Sequence, residues 1–197
     1  LRMRMSELWR GVLMPKLQVE LVPSTQWGSN MRDILTRSQW DKVRKHFYEV
    51  KDNKCEICGA TGLEQGRTHA VEAHEQWHYD DDNLVQTLTG IEVLCPECHR
   101  CKHLGRALKT GAGRKALSHL ISVNGFSEAE AQAYVQSTFA IHALRSMFAW
   151  EMDLDWMLTE DFPLDKTLTE GRIEAHRKKR AAKSISRAEV GQPNEEA

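Results

Sequence analysis

Four of the five cysteines fall in two pairs of identical spacing, Cys55-Glu56-Ile57-Cys58 and Cys95-Pro96-Glu97-Cys98. Two such turns present four thiolates to one ion, and four sulfurs at about 2.3 Å make the closed tetrahedral site of a structural zinc. Gly59 after the first pair and Pro96 inside the second suit the tight turns this requires. One pair alone would read equally as a redox dithiol, but two pairs outside a thioredoxin-like strand–helix setting favour the metal. Cys101, left over, reads as a small buried hydrophobe on a helix. Three histidines accompany the cysteines. His74 stands between Glu72 and Glu75, and His99 and His103 follow the second pair four residues apart, one turn along a helix face. Hydrolysis of a phosphodiester needs a base that titrates near neutrality and a divalent ion to take the charge on the leaving oxygen, and this residue set supplies both. Any one of the rings by itself reads as a structural hydrogen-bonding residue; three beside a four-cysteine cluster read as a site. Neutral imidazoles suit Zn2+, Ni2+ or Mn2+, whereas Mg2+ asks for more oxygen ligands.

Such a constellation needs elements to hold it. Trp40, Val43 and Phe47 recur at helical spacing and predict a helix over 38–50 leading into the first cysteine pair. Residues 70–75 and 89–94 read as strands, with the acidic loop Tyr79-Asp80-Asp81-Asp82-Asn83 between them. The second strand runs into Cys95, and a helix opens after Cys98 towards Leu108. Alternation at Leu17, Val19 and Leu21 predicts a short strand near the N-terminus. Leu117, Leu120 and Ile121 make an apolar stripe ended by Asn124-Gly125, and Ser127 with Glu130 has capping-box spacing before a long amphipathic helix with Tyr134, Ile141 and Phe148. The aromatics of that helix read as core rather than as a stacking platform. The expected fold class is therefore α+β: an N-terminal segment and helix over 1–50, a small zinc-stapled core over 51–110, a helical extension over 111–165 and a basic, flexible tail over 166–197.

Bulk composition narrows the function classes. Lys and Arg number 27 against 28 Asp and Glu, so any attraction for nucleic acid must come from local basic surface. Residues 1–50 carry nine basic and five acidic side chains, and Arg172 to Arg187 seven and one. Each stretch reads either as a phosphate-contacting surface or as an ordinary solvated one. No apolar run approaches the roughly 18 residues of a membrane span, and the first ten residues lack the apolar stretch of a secretion signal. The expected compartment is the reducing cytoplasm, with no membrane partner.

Cys55-x-x-Cys58, His74 on a strand, and Leu94-Cys95-Pro96-Glu97-Cys98-His99 with Lys102 beyond resemble the HNH endonucleases of the ββα-metal, or His-Me finger, group. The likeness covers about residues 50–108 and extends to stand-alone bacterial and phage members with a helical C-terminal half. It implies a metal-dependent endonuclease acting on DNA, with His74 as general base, His99 on the catalytic divalent ion, and Cys55, Cys58, Cys95 and Cys98 on a structural zinc. Two positions depart from the pattern: the common Asp before the base is Ala73, and the common Asn before the third cysteine is Gly90. His103 is expected to replace one lost ligand, and Glu72, Glu75 or an Asp of the 80–82 loop another. The catalytic ion would be Mg2+, Mn2+, Ni2+ or Zn2+. Arg100 and Lys102 are expected to contact the nucleic acid, with Arg32, Arg37 and the stretch from Arg172 as sources of specificity. A second copy of the chain and a regulatory protein are further candidate partners. The competing readings are a non-catalytic zinc module that binds nucleic acid or protein, favoured by Ala73 and Gly90, and a zinc-stabilised oligomerisation protein built on the long helix.

Overall fold

The computed structural model describes residues 15–190, with side chains to residue 182. Among them are seven α-helices and a three-stranded mixed sheet, an α+β arrangement as expected. Asn30 with Asp33 and Thr36 with Gln39 close capping boxes that start α1 (Met31–Ile34) and α2 (Arg37–Val50), so the expected helix begins one residue early. β1 (Glu72–Asp80) and β2 (Val85–Leu94) form an antiparallel hairpin, and β3 (Glu151–Asp153) lies parallel to β2. β1 begins two residues later and ends five later than expected, and β2 begins four residues earlier. The acidic loop shrinks to a turn in which Asp80 accepts from the backbone N–H groups of Asp82 and Asn83. On β2 the alternation is interrupted: Gln76 pairs with Gly90 but Trp77 with Leu88, leaving Thr89 as an extra residue. That bulge puts Leu88 and Ile91, three residues apart, into the same core cluster, which a regular period-two strand forbids.

β2 passes directly into Cys95, whose sulfur caps α3 (Pro96–Lys102) by accepting from the Cys98 N–H, with Pro96 at the first helical position. The helix expected to run on to Leu108 kinks instead at His103, at φ −95° and ψ 43°, before α4 (Leu104–Lys109). α5 (Gly113–Asn124) ends on Gly125 at φ 66°, and α6 (Glu128–Arg145) starts on the Ser127–Glu130 capping box, both as expected; Phe148 lies beyond its end.

Two hydrophobic clusters share the hairpin. One gathers Leu17, Val19, Leu94, Leu104 and Leu120 around the cysteines, with Tyr134 and Val135 of α6 packed against it. The other sets Met31, Trp40 and Val43 against Ala73, Leu88 and Ile91. Residues 17–21 are not a sheet strand. They are threaded along the helices by Leu17 N–H to Asn124 Oδ1 (2.8 Å), Val19 N–H to the Tyr134 hydroxyl (2.8 Å) and Glu20 N–H to the Lys102 carbonyl (2.9 Å). Nor is the basic C-terminal stretch a flexible tail. Residues Lys166–Val190 form α7, and Thr169, Ile173 and His176, on one face at i, i+4 and i+7, are buried. The charged segment through Arg10 and the polar stretch after 190 lie outside the described residues.

His176 is 6% exposed and neither ring nitrogen has a hydrogen-bond partner among the described residues. Burial holds its pKa below the ordinary histidine value; Arg180 and Lys179 add to this and Asp33 opposes it. The folded chain therefore prefers the neutral ring, and stability falls as pH drops through 6.5, where the unfolded chain takes up the proton first. Between about pH 7.5 and 5.5 the urea midpoint of the wild type is expected to fall further than that of His176→Leu. Equal falls would remove this ring from the account.

Candidate metal centres

The first cysteine turn is clamped to β2 through Glu56, whose backbone N–H donates to the Val93 carbonyl and whose carboxylate accepts the Val93 N–H at 2.7 Å. Gly59, at φ 76°, closes the turn by donating to the Cys55 carbonyl. This brings Cys58 Sγ to 3.6 Å from the sulfurs of Cys95 and Cys98. Sulfurs around a tetrahedral zinc at about 2.3 Å lie about 3.8 Å apart, so the spacing fits. The thiols oppose one another. Hydrogen bonds from Cys95 and Cys98 push Cys55 far down, while burial and the Cys55 charge push Cys58 up to about 11, and Cys55 and Cys95 push Cys98 up strongly. All four ionise together only around a cation, so the cluster is suited to a structural zinc ion. His119 Nε2 stands 3.2 Å from Cys98 Sγ, and Cys101 is buried, its thiol donating to the Ala116 carbonyl.

The second cluster is His74, His99 and His103, each offering a ring nitrogen within 4.8 Å of the others. His74 comes from β1, His99 from α3 and His103 from the kink. Nε2 of His99 and Nε2 of His103 are 3.1 Å apart, close to the roughly 3.3 Å between imidazole nitrogens that share a metal at about 2.0 Å. Burial, helped by His74 and His99, pushes His103 down to about 3, so its ring is held in the neutral form that binds metals. The outward nitrogens of two rings meet carboxylates. His99 Nδ1 pairs with Glu72, and His74 Nε2 with Glu20 at 2.9 Å, the outer-shell arrangement that orients metal-binding histidines. The hydrogen bond to His99, then that to His69, hold Glu72 at about 2 against a burial effect that raises it. Glu20 is also at about 2, because the contacts to His74 and Lys102 outweigh its burial.

Several expected roles change with this geometry. Glu72 lies behind His99 as its hydrogen-bond partner rather than in the cluster. His74, expected as general base, has Nε2 on Glu20 and stands in the possible ligand cluster. Ala73 points into the second hydrophobic cluster, so a ligand at that position of this strand would face away from His74. Gly90 sits beside the bulge, where an added Cβ would meet Gln76 Oε1 at 2.9 Å. The loop acids are engaged elsewhere, Asp81 with Arg145 through two bonds of 2.7 Å and Asp80 with Asn83.

The expected nucleic-acid contact at Lys102 is also corrected. Its side chain is 6% exposed and its ammonium sits between Glu20 (2.6 Å) and Glu92 (2.9 Å), out of reach of a phosphate. Arg100 pairs with Glu97, which also takes Lys115 and Arg67, but it still lines a cavity of about 300 Å³ beside the histidines with Arg67 and Arg106. Arg106 is exposed and has no carboxylate partner among the described residues. It lies seven residues after His99, so that His99, His103 and Arg106 fall at i, i+4 and i+7 on one face of a regular helix, and that spacing is its signal. Glu20 had none: a lone carboxylate 54 residues from His74 carries no mark of its partner.

The chain matches no protein-family model, no curated protein and no solved structure.

Lys102→Ala leaves Glu20 and Glu92 without their shared cation and is expected to cost about 3–5 kcal/mol in urea unfolding. A loss below about 1 kcal/mol would mean that water already compensates the pair. Metal analysis of the purified chain is expected to find one zinc that survives dialysis, and Cys98→Ser is expected to lose it.

Proposed function

We propose that the chain is a metal-dependent endonuclease that hydrolyses DNA phosphodiester bonds. The observation that carries this reading is the convergence of His74, His99 and His103 beside a cavity walled by Arg67, Arg100 and Arg106. Three protein ligands leave one tetrahedral position for water or substrate, the pattern of a catalytic rather than a structural site. A divalent ion held by these rings would supply positive charge at the leaving oxygen. An all-nitrogen ligand set favours Zn2+, Ni2+ or Mn2+ over Mg2+. The order β1, β2, α3, with a histidine on the strand and another on the helix, supports the likeness to the HNH group.

The remaining work falls to side chains. Glu72 and Glu20 hold two of the rings in orientation through their outward nitrogens. Arg106, without a carboxylate partner among the described residues, binds a phosphate oxygen, and Arg100 steadies the neighbouring one. With His74 in the ligand set, the acceptor left in the adjoining cavity is Glu75, whose carboxylate is held by the Met31 N–H at 2.9 Å and the Trp77 indole N–H at 3.2 Å. Its task is to take the proton of the attacking water. The alternative, a zinc module that binds nucleic acid or protein without cutting it, draws on the lack of oxygen ligands at Ala73 and Gly90.

Supercoiled plasmid and protein depleted of loosely held metal, then resupplied with Mg2+, Mn2+, Ni2+ or Zn2+, test both. The wild type is expected to nick with at least one ion. His74→Ala is expected to lose both cutting and metal affinity, and Glu72→Gln to lose about 10–100-fold of either. Lost cutting with intact metal affinity in His74→Ala would return that ring to the base role. No nicking with any ion would put the non-catalytic module first.

A further inference from the structure

A second cavity, of about 330 Å³, opens on the other side of the histidine cluster and shares His99, His103 and Arg106 with the basic one. Its walls are of a different kind. Trp27, Trp77, Trp40 and Tyr79 line it, and Trp27 is 63% exposed, an unusual position for the largest apolar side chain. Hydrophobic packing leaves that ring unexplained: it belongs to neither core cluster, and its fixed points are an indole N–H bond to the Val22 carbonyl at 3.2 Å and the Lys109 ammonium 5.7 Å over its face. Arg32 lies 5.5 Å over the Trp40 ring and, like Arg106, has no carboxylate partner among the described residues. Two arginines without a carboxylate partner among the described residues, Arg32 and Arg106, therefore stand at this mouth, Arg32 over an aromatic face.

A flat ring flanked by phosphates answers the exposed Trp27 face and the cations without carboxylate partners among the described residues together. The volume lies at the small end of ligand pockets, about 300–1,000 Å³, enough for one base and not for a stacked pair.

We propose that this cavity binds one unpaired nucleobase, so that the strand offered to the histidine cluster is single-stranded or locally melted nucleic acid. Resting on the nuclease reading of the adjacent cluster, the inference sharpens it to a substrate class. In a duplex both faces of each base are covered by neighbours, so no base could lie on Trp27. A splayed base on that ring carries its own phosphate towards the cluster that both cavities share.

The test measures binding, so that it does not depend on cutting. Protein with no added divalent ion is titrated against a fluorescent oligothymidylate, an abasic sugar–phosphate oligomer of equal length, and a blunt duplex. The oligothymidylate is expected to bind about tenfold or more tightly than the abasic strand, and more tightly than the duplex. Trp27→Ala, a change at an exposed position verified by circular dichroism, is expected to remove most of that difference; Trp77→Leu gives an independent second variant. Equal binding of base-bearing and abasic strands, preference for the duplex, or indifference to both variants would overturn the proposal. Plasmid nicking reports separately on the nuclease reading: nicking without base-dependent binding sinks only the pocket, and base-dependent binding without nicking sinks only the catalysis.

Discussion

Four clustered sulfur atoms, with Cys58 at 3.6 Å from two of the others, cannot all carry charge without a cation among them, and the placement of α3 against the hairpin follows from that closure. Two cysteines come from the turn after α2 and two from the junction of β2 with α3, so closing the cluster sets where α3 begins relative to the hairpin. Hairpin register then sets His74 opposite Glu92, and one turn of α3 sets His99. The geometry of the three-histidine cluster thus follows from a sulfur cage and a strand register.

A second layer of control is electrostatic. Glu20 divides its two oxygens, Oε1 to Lys102 and Oε2 to His74. Buried ion pairs of this sort seldom add net stability over a well-packed apolar substitute, so their value lies in what they orient. Here a residue from the extended N-terminal segment reaches across α3 to hold a ring on β1. Glu97 does comparable work near the cysteines, collecting Arg67, Arg100 and Lys115 from three parts of the chain. The basic cavity is consequently less positive than its arginines alone would make it, and Arg106 is its unpaired charge among the described residues.

Much of the site was legible because its spacing is local. Paired cysteines, histidines one turn apart and capping boxes are short-range patterns, and each survives into the fold. What escaped has physical reasons. The Thr89 bulge breaks period-two alternation, so the first half of β2 does not read as a strand. The His103 kink is a tertiary adjustment inside a sequence with good helical character, made where Gly105 lets α4 approach Leu21. Docking of α7 uses Thr169 and His176 beside Ile173, and two polar residues out of three hide an otherwise regular buried face. The burial of Lys102 depends on carboxylates 82 and 10 residues away, contacts that no local pattern announces.

α7 has 25 residues, and at 1.5 Å per residue it is about 37 Å long, while the buried positions among its described side chains, which run to residue 182, end at His176. Mechanically it is a beam whose described clamp lies over its first three turns. Seen from Ile173, the last helical residue lies about 25 Å away, so a tilt of about 10° at the clamp sweeps the far end through more than about 4 Å. Angular looseness too small to disturb the packing of Ile173 is thereby magnified into a displacement of atomic-contact size, and the row of cations from Arg177 to Arg180 rides on that arm.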